Sequence, residues 1–153
     1  MSEGNARIVS VRYIGGYKLD VTWTNRRTLT VDFAEPIARL KGLRSLRSPA
    51  IFARAHVGEE GWSIEWDDET DMAASKVLEM GLERVGDANT VEFMRWLWRN
   101  ELSLNAAAEA LGMSRRQIAY YSSGEQEVPR YVALACIGWE AQRKSQDRRA
   151  AVV

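Results

Sequence analysis

The chain has 153 residues, 46% of them hydrophobic and 27% charged, with 21 basic and 21 acidic side chains and one cysteine. This length holds one domain or two small ones, and the composition is that of a globular protein with a packed core. One cysteine excludes an internal disulfide and suits a reducing compartment, and zero formal net charge removes any whole-molecule pull toward nucleic acid or membrane, so such functions must rest on local pattern.

From Arg7 to Phe33 apolar residues alternate: Ile8 and Val11, then Leu19, Val21 and Trp23, then Leu29, Val31 and Phe33. A period of two predicts strands with one buried face. Gly15-Gly16 and Thr24-Asn25-Arg26 interrupt the alternation at hairpin spacing, where glycine and asparagine tolerate positive φ, so the segment reads as a three-stranded antiparallel meander. After Pro36 the pattern loosens into short helices. One opens at Ser48-Pro49, with serine as N-cap and Ile51 and Phe52 turned inward. A strand pair follows, Ala55-His56-Val57 and Trp62 to Trp66, separated by Gly58-Glu59-Glu60-Gly61. Trp62, Ile64 and Trp66 share one face of the second strand by parity, and His56 is expected to be half-buried. The alternation ends near Met72, and Ala73 to Met80 reads as helix.

The polar stretch from Glu83 to Asn89 is the expected boundary between an α+β domain at 1–82 and an all-α domain at 88–145. Beyond Thr90 three or four short helices account for the chain to about Lys144, and the last residues are expected to fray. No apolar run reaches the ~20 residues of a membrane span, and Met1 to Asn5 has no signal-peptide pattern. The expectation is a cytoplasmic protein with no membrane partner.

One motif stands out in the second half. Ala108 is followed by Gly112 and then by Ile118, the spacing a helix-turn-helix requires: a small residue where two helices cross, a glycine for the turn, an apolar residue to lock the second helix. Ser103 and Ser114 are placed to cap the two helices, and Gly124 to stop the second. Leu111, Met113 and Tyr121 complete the apolar set. Arg115, Arg116, Gln117 and Tyr120 then fall on the outward, N-terminal part of the second helix, where such domains meet the major groove. They are the candidate base readers. Asn105, Ser114 and Arg130 complete the candidate DNA-binding set.

The stretch from Leu102 to Ile118 resembles the lambda-repressor-like family of helix-turn-helix proteins, and the resemblance runs from about Thr90 to Gln142, with Ala133, Leu134, Ala135 and Gly138 matching the family's last helix. Leu104 and Ser122 depart from the glutamine and glutamate usual there. The first half, in Tyr17-Lys18-Leu19, Val31-Asp32-Phe33, Phe52, Gly61 to Trp66 and Asp71, resembles a small bacterial family of unknown function, DUF2442. That resemblance implies an α+β unit with a curved sheet, and a toxin-like protein partner for some members.

Catalytic and metal chemistry find little footing in the sequence. One histidine, His56, and one cysteine, Cys136, lie far apart, and Cys136 reads as a small buried hydrophobe. Asp67, Asp68, Glu69 and Asp71 lack the glycine and closing glutamate of an EF-hand and read as a solvated loop, and Gly15-Gly16 lacks the lysine of a phosphate loop. The sequence therefore predicts a repressor-type regulator, not an enzyme, without a cofactor, binding double-stranded DNA as a homodimer. The competing reading is an antitoxin or interaction module whose helix-turn-helix serves docking or dimerisation. The final helix from Arg130 and the aromatic-rich sheet face of the first half are the two candidate dimer surfaces, the latter slightly favoured.

Overall fold

The computed structural model describes residues 5–152, which fall into two compact units, one from Asn5 to Asp87 and one from Ala88 onward. The first is α+β with two small antiparallel sheets; the second is helical.

In the first unit, β1 (Ile8–Tyr13), β2 (Lys18–Trp23) and β3 (Thr28–Asp32) form the meander in the order β1-β2-β3. Leu19 pairs with Val31 and Val21 with both Val11 and Leu29, so the register sends the apolar set to one face. Gly15 and Gly16 take positive φ in the first turn. In the second turn the expectation fails in detail: Arg26, not Asn25, adopts the left-handed conformation (φ 69°), while the Asn25 carboxamide accepts the Arg27 N–H at 2.9 Å. An Asx turn of this kind fixes the corner with side-chain chemistry, which lets the strained position fall one residue later.

Helix α1 (Ala34–Arg39) starts before Pro36, which sits in the first turn where no backbone N–H is needed. A 3-10 segment, Lys41–Arg47, and a short helix α2 (Pro49–Phe52) follow; Ser48 precedes α2 but its hydroxyl makes no cap bond, and Ile51 is only half-buried. The second sheet consists of β4 (His56–Val57), β5 (Ser63–Asp67) and β6 (Thr70–Ala73), in that order. Its third strand has no counterpart in the sequence pattern. His56 is exposed rather than half-buried: it stands opposite Glu65 of β5 on a solvent-facing part of the sheet, with Nε2 3.8 Å from the carboxylate. Trp62 does not belong to β5. It ends a 3-10 turn, half-buried, with the Arg7 guanidinium 5.8 Å above its ring. The acidic residues 67–71 lie along the β5–β6 hairpin.

The core of this unit is aromatic. Phe52 has Tyr13, Tyr17, Phe33 and Trp66 around it at ring separations of 5.5–6.0 Å, and the Trp66 indole N–H donates to the Phe52 carbonyl at 2.9 Å. Helix α3 (Ala74–Arg84) packs on the apolar face of the meander, burying Val77, Leu78 and Leu82. It runs past the expected end at Met80, and it can lie on β3 because Gly81 presents no side chain: a Cβ there would meet Leu29 Cδ1 at 2.9 Å.

Among the described residues the second unit has four helices: α4 (Ala88–Arg99), α5 (Leu104–Leu111), α6 (Arg115–Ser122) and α7 (Arg130–Val152). Phe93, Trp96, Leu104, Ala107, Ile118, Tyr121, Val128, Val132 and Cys136 form its core. Helix α7 is longer than the sequence suggests. Its 23 residues continue well past Gln142, although Ala141 to Ala151 are exposed. Arg143 lies over the Trp139 ring at 5.1 Å, covering apolar surface the core leaves open. The Cys136 thiol is buried, and burial pushes its pKa up to about 12. No helix among the described residues is long and apolar enough to cross a membrane.

Candidate nucleic-acid interface

The arrangement of α5 and α6 follows from three local devices. The Ser103 hydroxyl accepts the Ala106 N–H at 3.0 Å and opens α5; the Ser114 hydroxyl accepts the Gln117 N–H at 3.1 Å and opens α6. Each meets a backbone donor that has no partner within its own helix. Between them Gly112 takes the left-handed conformation (φ 67°, ψ 36°), and its N–H and that of Met113 both donate to the Ala108 carbonyl. An added Cβ at Gly112 would meet nothing, so glycine is required there by backbone conformation rather than by space.

Helix α6 is held from beneath. Ile118 is fully buried, and Tyr121 packs edge-on against Phe93 at 5.5 Å, where burial raises its hydroxyl above the ordinary tyrosine range. Trp96 stacks edge-on against Trp139 at 5.4 Å, and the Val128 N–H donates to Thr90 Oγ1 at 2.9 Å, tying α4 to the start of α7. With this face inward, Arg115 and Arg116 are exposed, and Gln117 and Tyr120 are half-exposed.

Two of these four are paired within the helix: Arg116 Nε donates to the Tyr120 hydroxyl at 2.8 Å, its guanidinium 5.5 Å from the ring centre. Gln117 Nε2 donates to Gln126 Oε1 at 2.9 Å, a partner that the sequence does not single out. The Gln126 backbone N–H in turn bonds the Tyr120 carbonyl, which explains how a residue nine positions on comes to brace the helix. The Ser114 hydroxyl is occupied by its capping bond. Asn105, exposed in the first turn of α5, and Arg130, exposed at the start of α7, stand on other helices, and neither bonds to the four among the described residues.

An ionic link also braces α4 and α7. Arg99 grips Glu140 with two nitrogens at 2.6 and 3.0 Å. The guanidinium holds the Glu140 carboxyl below the usual carboxylate range, so the pair contributes fully above that range and its contribution fades as pH falls through the lowered value. Glu140→Gln is therefore expected to cost the second unit about 1 kcal/mol at neutral pH, the half-exposed Arg99 screening the rest. Thermal denaturation at neutral pH and near pH 3 checks this, since the deficit should shrink in acid; an equal deficit at both would remove the ionic explanation.

A crystal structure from Nitrosomonas europaea, described as a "Putative DNA Binding Protein", is similar over nearly the whole chain. It matches with a TM-score of 0.74 and 37% sequence identity, over 94% of this chain and 92% of that one. This chain belongs to the same family. Residues 8–81 also match the family "Protein of unknown function (DUF2442)", which covers the meander, the second sheet and most of α3. No curated protein matches the chain. The likeness to the Nitrosomonas europaea structure spans both units, so family membership includes the helices α4 to α7 as well as the DUF2442 region.

Proposed function

We propose that this protein is a DNA-binding regulator of the repressor type, in which α5 and α6 act as a lambda-repressor-like helix-turn-helix and the first unit serves a partner or effector. The observation that carries the reading is the α5–Gly112–α6 geometry. Two serine caps and a left-handed glycine hold α6 on the core through Ile118 and leave Arg115, Arg116, Gln117 and Tyr120 on its outer side. The description of the Nitrosomonas europaea relative agrees with it. Arg115 and Gln117 read base edges in the major groove, while Asn105, Ser114 and Arg130 contact the backbone. The protein works by occupying a DNA site in the cytoplasm, not by catalysis.

Anisotropy titration of labelled duplexes tests this: its own promoter region should bind more tightly than random duplex at about 0.15 M salt. Arg115→Ala should cost on the order of 1–3 kcal/mol at particular bases, whereas Arg130→Ala should weaken all sequences alike. Equal affinity for every duplex, unchanged by Arg115→Ala, would defeat the reading.

Single modules of this kind touch few bases, so we also propose a homodimer that sets two recognition helices about 34 Å apart. The outer face of α7 supports this better than the sheet. Tyr131, Leu134 and Ile137 are 69%, 53% and 64% exposed there, beside Gly138 and Ala141. Light scattering should give twice the 17.3 kDa chain mass, and Leu134→Glu with Ile137→Glu should return the monomer. If the pair left a dimer intact, the interface would lie elsewhere. The same face would suit a toxin-like partner, which a mixed-species mass would reveal.

A further inference from the structure

The 3-10 segment Lys41–Arg47 is ordered by a period of three. At three residues per turn, positions three apart eclipse one another. Leu43 and Leu46 are buried, and Lys41, Arg44 and Arg47 are exposed, so the apolar residues form one row and the cations another. A rise of about 2.0 Å per residue spaces the cations by roughly 6 Å along the segment. Long side chains on that spacing can reach successive phosphates of one strand, which carries a charge every ~3.4 Å along the axis.

The stretch around the row carries charge of one sign. From Pro36 to Gly58 the chain holds Arg39, Lys41, Arg44, Arg47 and Arg54 and no aspartate or glutamate. Acidic residues border this stretch at Glu35, Glu59 and Glu60, and four more lie together on the β5–β6 hairpin at Asp67, Asp68, Glu69 and Asp71. A surface shaped only for solubility would intersperse the two signs. Arg39 is taken by Glu35 at 2.6 Å and Arg47 donates to the Ala38 carbonyl at 3.2 Å, but Lys41 and Arg44 have no side-chain bond or ion pair among the described residues. The row is also fixed in place. Leu43 and Leu46 sit in the core, and the Tyr17 hydroxyl donates to the Arg47 carbonyl, so little ordering cost remains when an anion binds.

The second unit carries Arg143, Lys144, Arg148 and Arg149 on the exposed end of α7 but little net charge around its reader helix. Its cations between Ala88 and Arg130 are Arg95, Arg99, Arg115, Arg116 and Arg130, against Glu92, Glu101, Glu109, Glu125 and Glu127, and Arg99 is committed to Glu140. A reader helix with so little net charge immediately around it gains backbone affinity from cations elsewhere in the molecule.

We propose that Lys41, Arg44 and Arg47 form a sequence-independent binding row for the phosphate backbone of duplex DNA, on the unit that does not read bases. This rests on the reading of the protein as DNA-binding but not on the placement of its recognition helix. The test uses the full chain, with binding to a random duplex and to the promoter duplex followed across salt concentrations. Replacing Lys41 and Arg44 by alanine, and in a second variant Arg47 as well, should weaken both duplexes by the same factor. The slope of log affinity against log salt should fall by about 0.9 for each phosphate no longer neutralised, and the preference for the promoter should be unchanged. Leu43 and Leu46 remain in both variants, and an unaltered thermal transition verifies the fold.

Unchanged affinity and slope in a correctly folded triple variant would overturn the proposal. So would a chain that binds vesicles of anionic lipid and no duplex, because the row would then be a lipid surface. If Arg115→Ala has no effect and no promoter preference exists, yet the triple variant still binds duplex more weakly and with a shallower slope, the recognition-helix reading fails and the backbone row stands.

Discussion

Phe52→Ala is expected to lower the stability of the first unit by about 3–5 kcal/mol, the range for removing a buried phenyl ring. The upper part of that range is favoured because the ring is a hub. Tyr13, Tyr17, Phe33 and Trp66 all pack against it, and α2, which carries it, is only four residues long and cannot hold its place by backbone bonding alone. Losing the ring opens a cavity that four aromatic neighbours cannot close by rotamer changes, since their own positions depend on Phe52. Calorimetry of the full chain should show one transition shifted strongly downward and a second, from the helical unit, nearly in place. A loss below about 1 kcal/mol would mean that the aromatic cluster repacks, and that the first unit is held by its β-strands and α3 instead.

The second large effect is expected at Ile118. Ile118→Ala should cost the helical unit about 2–5 kcal/mol, and Ile118→Val only about 0.5–1.5. Ile118 is fully buried in the core and with Tyr121 holds α6 there, so on the proposed function its truncation should abolish DNA binding by releasing α6. Arg115→Ala, by contrast, should shift the melting temperature far less and act mainly on binding. Measuring both quantities on both variants separates loss of the surface from loss of what positions it. A stable Ile118→Ala protein with undiminished binding would show that α6 is held by its caps and not by the core.

The meander is legible in the sequence because one face of β2 and β3 is buried, so Leu19, Val21, Leu29 and Val31 have to alternate. The third strand of the second sheet escapes because it is four residues long and its inward positions are Thr70 and Met72, a polar residue among them. Trp62 shares parity with Ile64 and Trp66, but parity does not say where a strand begins; the left-handed Glu60 and Gly61 end the pattern just before it. The far end of α7 is invisible for a different reason. Residues after Gln142 are mostly good helix formers with no glycine or proline to stop them, but no apolar periodicity marks them because nothing packs there. In the candidate site, offsets from Ile118 suffice to place the outward residues of α6. They cannot reveal the Gln117–Gln126 bond, which depends on how the chain turns back after Gly124.

The single thiol of the chain has a practical meaning as well. Cys136 is shut inside the core of the helical unit and is kept protonated far above physiological pH, so alkylating reagents, which attack the thiolate, have no route to it in the closed state. Its modification must wait for the helices to part. Because the first unit contains no cysteine at all, the rate of that reaction is a clock for the breathing of the helical half alone, running undisturbed by whatever the sheets are doing.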